Sequence, residues 1–234
     1  LEIRVVEGRL ESLEGGEIAT PRELGMGFPG ATGEVLNLRD LEQLVDQLNR
    51  LPSLQAELQV LPGEVLGASR VQLAGQREKP WRLNANRNND GLPSTGEQQW
   101  GLGFDWDSPL GLADQLVLRG SGDTLNDSQR QSDSQSLIYS LPYGWWTVSY
   151  SYNQNSYRSQ TDAAGFDFKQ HGDSQTQQLR AERVLQRDEV SKTAASIAAG
   201  HIRTRNYLED ALLDVSSSDL SSAQLGFNHG RRIG

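Results

Sequence analysis

The 234-residue chain contains no cysteine at all. That excludes a disulfide framework and a thiolate metal site, and it fits an exported bacterial chain without demanding one. Long apolar runs are missing too: no stretch approaches the ~18–20 consecutive apolar residues of a membrane helix. A transmembrane barrel survives this test, because only alternate strand residues face lipid and average hydropathy stays low; the mean hydropathy here is −0.60. Positive charge is the minority sign, with 22 Lys and Arg against 31 Asp and Glu, a net charge of −9. A nucleic-acid binder normally carries a basic face, so this balance argues against that class. Glycine-rich phosphate cradles are absent, which leaves no nucleotide site.

What is present divides into two halves with different periodicities. In the first, Leu38, Leu41, Leu44, Val45, Leu48 and Leu51 recur with helical spacing and predict an amphipathic helix. Asn37 is its expected N-cap, Asp40 lies in the first turn, and Pro52 closes it. The strand Leu54–Val60 follows, with Leu54, Ala56, Leu58 and Val60 alternating against Gln55, Glu57 and Gln59. Pro62-Gly63 makes a turn, Val71 and Leu73 mark a returning strand, and a shorter helix is expected near Pro21–Gly27. Strand, helix, helix, strand, strand makes a small α+β unit with its helices on one sheet face. The apolar helix stripe is first of all this unit's own core.

After Trp81 the period becomes two. Trp100, Leu102, Phe104 and Trp106 alternate with Gly101, Gly103, Asp105 and Asp107. Trp146, Val148, Tyr150 and Tyr152 alternate with Thr147, Ser149, Ser151 and Asn153. A soluble sandwich also alternates, but its hidden face is mostly aliphatic, whereas this one is rich in Trp and Tyr like a membrane-interface girdle. Strands are expected near 81–90, 97–107, 114–122, 134–141, 145–157, 174–187, 193–206 and 219–229. Short connections (Ser108–Ala113, Pro142–Gly144, Asp188–Lys192) alternate with mostly longer polar ones such as Asp123–Asp133 and Arg158–Asp173. Outer-membrane barrels show this asymmetry, with short periplasmic turns and long external loops.

At these residues the chain resembles a known family. Asn37-Leu38-Arg39-Asp40-Leu41-Glu42-Gln43 with Leu48-Asn49-Arg50-Leu51-Pro52-Ser53 is similar to the second POTRA-domain helix of the two-partner secretion translocators, the hemolysin secretion/activation proteins and filamentous-hemagglutinin transporters. Pro62-Gly63 with Gly67 and Ser69 resembles the turn that follows it. Asp107-Ser108-Pro109-Leu110-Gly111-Leu112-Ala113-Asp114 and Leu141-Pro142-Tyr143-Gly144-Trp145-Trp146 resemble the first two periplasmic barrel turns. Asn206-Tyr207-Leu208-Glu209-Asp210 falls where that family has a similar loop. The resemblance implies a fragment: residues 1–9 as the last strand of a truncated first POTRA domain, 10–78 as a second POTRA domain, and 79–234 as the N-terminal half, about eight strands, of an antiparallel transmembrane β-barrel.

It also implies a function, an outer-membrane pore that exports a large unfolded partner protein of hemolysin or adhesin type, with the POTRA domain in the periplasm. The expected partners are that secreted exoprotein and outer-membrane lipid, not nucleic acid or nucleotide. The candidate docking strand is Leu54, Gln55, Ala56, Glu57, Leu58, Gln59 and Val60, whose edge an extended client could join by β-augmentation. Proline at Gln55 or Gln59 would then remove an edge donor. The candidate pore-lining residues are Arg82, Arg87, Asp105, Asp107 and Arg119, which are equally the ordinary polar residues of a wet barrel interior.

For catalysis the chain offers little. His171, His201 and His229 lack metal-ligand spacing and a neighbouring nucleophile motif. Gly172-Asp173-Ser174 resembles the start of an esterase block without an oxyanion-hole context. Asp123, Asn126 and Asp127 lack the glycine and closing glutamate of a calcium loop. No enzyme activity, metal or cofactor is expected. The alternatives left open are an outer-membrane barrel assembly factor and a soluble two-domain carbohydrate-binding or adhesion protein.

Overall fold

A computed structural model of the chain describes residues 7–123, 130–163 and 166–231. Of Asp123, Asn126 and Asp127, which lack the pattern of a calcium loop, only Asp123 is among the described residues. Among the described residues no group of three or more His, Cys, Asp or Glu side chains is placed to hold a metal. Among the described residues no helix is long and apolar enough to cross a membrane, which says nothing of spanning strands.

The first unit holds β1 (Arg9–Glu14), α1 (Pro21–Gly27), α2 (Leu38–Asn49), β2 (Leu54–Pro62) and β3 (Ala68–Arg77). Its sheet has the order β1-β3-β2, with β1 parallel and β2 antiparallel to the central β3. Arg9, expected in a preceding strand, is instead the first residue of β1 and pairs with Ala68. The short helix α1 forms because Pro21 presets its first turn and Thr20 and Glu23 close a reciprocal capping box. Asn37 caps α2 by accepting from the Arg39 N–H. Leu41, Leu44, Leu48 and Leu51 are fully buried beneath it, and with Leu10, Leu54, Val71 and Leu73 they make the core. Leu38 departs from the expected stripe: it sits at the first helical position, beyond the sheet, and is exposed.

The second unit is one antiparallel sheet of β4 (Trp81–Asn88), β5 (Gln99–Asp107), β6 (Gln115–Asp123), β7 (Gln131–Tyr143), β8 (Trp146–Ala163), β9 (Phe166–Arg187), β10 (Ser191–Leu208), the two-residue β11 (Ala211–Leu212) and β12 (Ser218–Arg231). Strands β4 to β10 each pair with the next in sequence, and β11 and β12 both pair with β10. The expected loop Arg158–Asp173 is not a loop over most of its length. The β8–β9 ladder continues through it, from Arg158↔His171 to Ala163↔Phe166. Backbone pairing does not require an apolar face, so the hairpin outlasts the period-two pattern that would have revealed it.

Opposed residues fix the two faces. Trp81, Leu83 and Ala85 stand opposite Trp106, Phe104 and Leu102. The same face continues through Leu116 and Leu118, then Tyr139 and Leu137, then Tyr150 and Tyr152. The other face carries Arg82, Asn84, Gly103, Asp105, Arg119, Ser136, Ser149 and Ser151. One face is apolar and aromatic, the other polar, as a barrel wall between lipid and water requires.

Candidate functional site

Two features stand out: the open edge of the small sheet and the junction that holds this sheet against the ends of the barrel strands. In the sheet order β1-β3-β2, strand β2 lies at an edge. The opposite edge is partly covered, because Leu10 and Leu36 exchange backbone hydrogen bonds with Glu34, Gly33 and Gly8. The phase of the β2–β3 ladder follows from its ends. Glu78 N–H donates to Ser53 O and Gly63 N–H to Ala68 O. In an antiparallel pair the hydrogen-bonded positions alternate, so Gln55, Glu57 and Gln59 bond to β3. Leu54, Ala56, Leu58 and Val60 turn their N–H and C=O groups outward.

This corrects the expected proline probe. Gln55 and Gln59 expose their side chains, yet their amides belong to the ladder, so proline there would break the sheet. The edge donors at Leu54, Ala56 and Leu58 sit on residues whose side chains turn toward the core, whereas Val60 is exposed. They are also unequally available. Leu54 N–H donates to Leu51 O, and both groups of Ala56 are taken by the Asn49 side chain. Of the outward-facing residues of β2, Leu58 and Val60 have neither edge group engaged in a backbone bond or by Asn49, and they lie next to a hairpin tip whose Leu61, Val65 and Leu66 are exposed.

The junction is built on the short turns. Glu23, with no exposed surface, accepts from both terminal nitrogens of Arg77 and from the Ser108 hydroxyl in the turn after β5. Burial pushes its carboxyl up, but the hydrogen bonds from Arg77, Ser108 and the Thr20 N–H, with the Arg77 charge, outweigh it and hold the pKa down at about 2. Asp107 at the end of β5 accepts from Ser53 N–H at 2.9 Å, Arg82 at 2.9 and 3.1 Å and Gln115 at 3.1 Å. Arg50, half-buried, donates to Ala113 O at 2.6 Å and to the Ser140 hydroxyl.

The turn after β7 is gripped by the helices. Gly144, at φ 54°, donates to Met26 O and accepts from Gln43 and Gln47. A side chain here would also press on Pro29, with a Cβ 3.2 Å from its Cα, so glycine answers both demands. Arg187 spans Glu42 at 3.0 Å and Asp46 at 2.6 Å, and Lys192 reaches Asp46 at 2.9 Å. Burial raises the Asp46 carboxyl, and the hydrogen bonds and charges of Arg187 and Lys192 more than reverse it, leaving it lowered.

The proposed pore-lining set separates accordingly. Arg82, Asp105, Asp107 and Arg119 share the polar face, and Asp105 pairs with Arg119 at 2.7 Å. Arg87 leaves the set: it opposes Trp100 on the apolar face, because its parity matches Trp81, Leu83 and Ala85. Asp107 is 1% exposed and locked into the junction, so it lines nothing. Sequence reasoning missed Glu23, Asn49, Gln47, Asp46 and Arg187 as functional residues. Only the Thr20–Glu23 capping-box spacing carried a readable signal.

Comparison with known proteins places this geometry. The model of the haemolysin secretion/activation proteins ShlB/FhaC/HecB matches residues 67–234, and a POTRA domain model matches residues 8–62. Outer membrane transporter CdiB of Dickeya dadantii is 36% identical over 233 residues, covering 100% of this chain and 42% of its own length. Hemolysin transporter protein ShlB of Serratia marcescens is 36% identical over 229 residues, covering 98% of this chain and 41% of its own length. The solved structure of CdiB from Escherichia coli superposes with a TM-score of 0.91 at 36% identity, over 97% of this chain and 43% of that one. The chain thus spans roughly two fifths of the length of the curated relatives it matches.

Proposed function

Because the chain belongs to the ShlB/FhaC/HecB family of haemolysin secretion/activation proteins, we propose that it forms the docking domain and first half of a pore that exports a large unfolded partner protein. The family's members here are outer membrane transporters, and the POTRA domain lies in the periplasm. The boundary between docking domain and barrel falls at residue 79. The partner is a secreted exoprotein of hemolysin or adhesin type, and the barrel's apolar girdle faces outer-membrane lipid. No step calls on nucleotide, metal or enzyme chemistry: directionality comes from folding of the passenger outside.

The observation that carries this reading is the unpaired edge at Leu58 and Val60, held by the junction beside the polar-faced strand ends. An unfolded chain has its own unpaired backbone groups and can satisfy this edge by adding a strand, with little demand on sequence. It then meets a polar wall, where Arg82, Asp105 and Arg119 allow passage without loss of backbone hydration. Val60→Pro is the clean test, because it deletes one outward N–H, leaves the β3 ladder intact and alters an exposed side chain. In the full-length transporter it should lower secretion of the cognate exoprotein several-fold while the amount of folded barrel in the outer membrane stays constant. Normal secretion by this variant would remove β2 as the docking site.

A further inference from the structure

Asn49 ends α2, yet its side chain is spent on the β2 edge. Its Nδ2 donates to Ala56 O at 3.0 Å and its Oδ1 accepts from Ala56 N–H at 2.6 Å. A carboxamide offers the same donor and acceptor pair as a peptide group. Asn49 therefore sits on the edge as one peptide unit of a neighbouring strand would. It is an exposed side chain, and it also lines a cavity of about 450 Å³ with Gln47, Arg50, Thr147, Ser149 and Arg180. Thr147, Ser149 and Arg180 lie on the polar face of β8 and β9.

Along β2 the order is telling. Val60 and Leu58 are open, Ala56 is capped by a side chain that water can reach, and the Leu54 N–H is engaged by Leu51 O. Next comes Ser53, tied to Asp107 at the foot of the barrel. A strand laid on Val60 and Leu58 reaches Asn49 next, and Asn49 also lines the polar cavity. We propose that Asn49 is a displaceable cap: it holds the place of an extended partner's peptide group and marks where that partner leaves the POTRA edge for the barrel mouth. This rests on the docking reading above and adds to it the position and polarity of the handover. A partner strand antiparallel to β2 brings its C-terminal end to Asn49, a parallel one its N-terminal end.

The bland alternative is a staple that ties the end of α2 to β2, and the two make opposite predictions. The full-length transporter in detergent would be titrated with a fluorescent ten-residue alternating Val/Thr peptide, as wild type, Asn49→Ala, Asn49→Asp and Val60→Pro. Removing a cap frees the Ala56 groups for the peptide, so Asn49→Ala should bind roughly tenfold tighter, the scale of one or two net hydrogen bonds. Asn49→Asp, which keeps the acceptor and loses the donor, should fall between it and wild type. The Ala56 amide should exchange faster in Asn49→Ala than in wild type, and regain protection when peptide is added. If Val60→Pro weakens binding while Asn49→Ala binds no tighter than wild type, Asn49 is a staple and the cap is wrong. If Val60→Pro changes nothing, or no form binds, the docking reading fails first and the cap falls with it.

Discussion

The two units use the same device, a strand with one apolar face, and meet different solvents. In the POTRA unit the apolar faces turn inward: Leu41, Leu44, Leu48 and Leu51 lose all their exposed surface and Leu54 keeps 3%. In the barrel sheet Leu102 keeps 50%, Leu83 69% and Phe227 73%. The difference is not one of composition but of what covers the face. The first unit carries its own cover in α1 and α2. The second leaves that task to lipid, so its stability belongs to the bilayer and to its backbone ladder more than to packing. Between them lies a third environment, a polar junction of buried carboxylates and arginines that belongs to neither core.

That contrast can be broken at its strongest point first. Leu44→Ala should destabilise the POTRA unit by about 2–5 kcal/mol through lost burial and a residual cavity, read as early loss of protease resistance in residues 9–77. Leu102→Ala, with half its surface already exposed, should leave that resistance unchanged. Next comes the lipid face. Phe104→Arg should cost about 2–4 kcal/mol if the side chain sits at mid-bilayer, measured by unfolding from vesicles, while Ser121→Arg on the polar face should cost far less. Gly103 and Asp105 are poorer controls: a Cβ at Gly103 would approach Asn84 to 2.4 Å, and Asp105 already pairs with Arg119. Equal sensitivity on both faces would dissolve the distinction between the units.

The junction gives smaller effects. Glu23 is depressed in the folded state to about 2, so its contribution is fully present above the unfolded carboxyl range near 4.5 and fades as pH falls toward 2. Glu23→Gln should remove on the order of 2 kcal/mol at neutral pH and flatten that acid dependence. Unfolding midpoints between pH 5 and 2.5 would show it, and parallel curves for the two proteins would count against the hydrogen bonds of Arg77 and Ser108 and the Arg77 charge as the cause of the depression. The smallest change is expected at the helix-to-turn ion pairs. Asp46 is 40% exposed beside Arg187 and Lys192, and Asp46→Asn should cost about 1 kcal/mol or less, vanishing at high salt.

The chain's order of elements was legible because each signal is local. The 3.6-residue period of Leu41, Leu44 and Leu48, the cap at Asn37 and the alternation from Trp100 to Trp106 all lie within a dozen residues, as do the family-like turns at Asp107–Asp114 and Leu141–Trp146. What the tertiary structure alone decided is which neighbours share an edge or a face. Arg87 reads as polar among the polar residues Asn86 and Asn88, and only its pairing with Trp100 puts it on the apolar side. The β2 strand was visible, but the open groups belong to Leu58 and Val60 rather than to Gln55 and Gln59, because ladder phase is set by the partner strand. Gln47 meets Thr147 across a hundred residues, and Asn49 reaches over a turn to close Ala56. Periodicity reports how a residue faces its own element; hydrogen-bond partners and charges across space are set by how the elements pack.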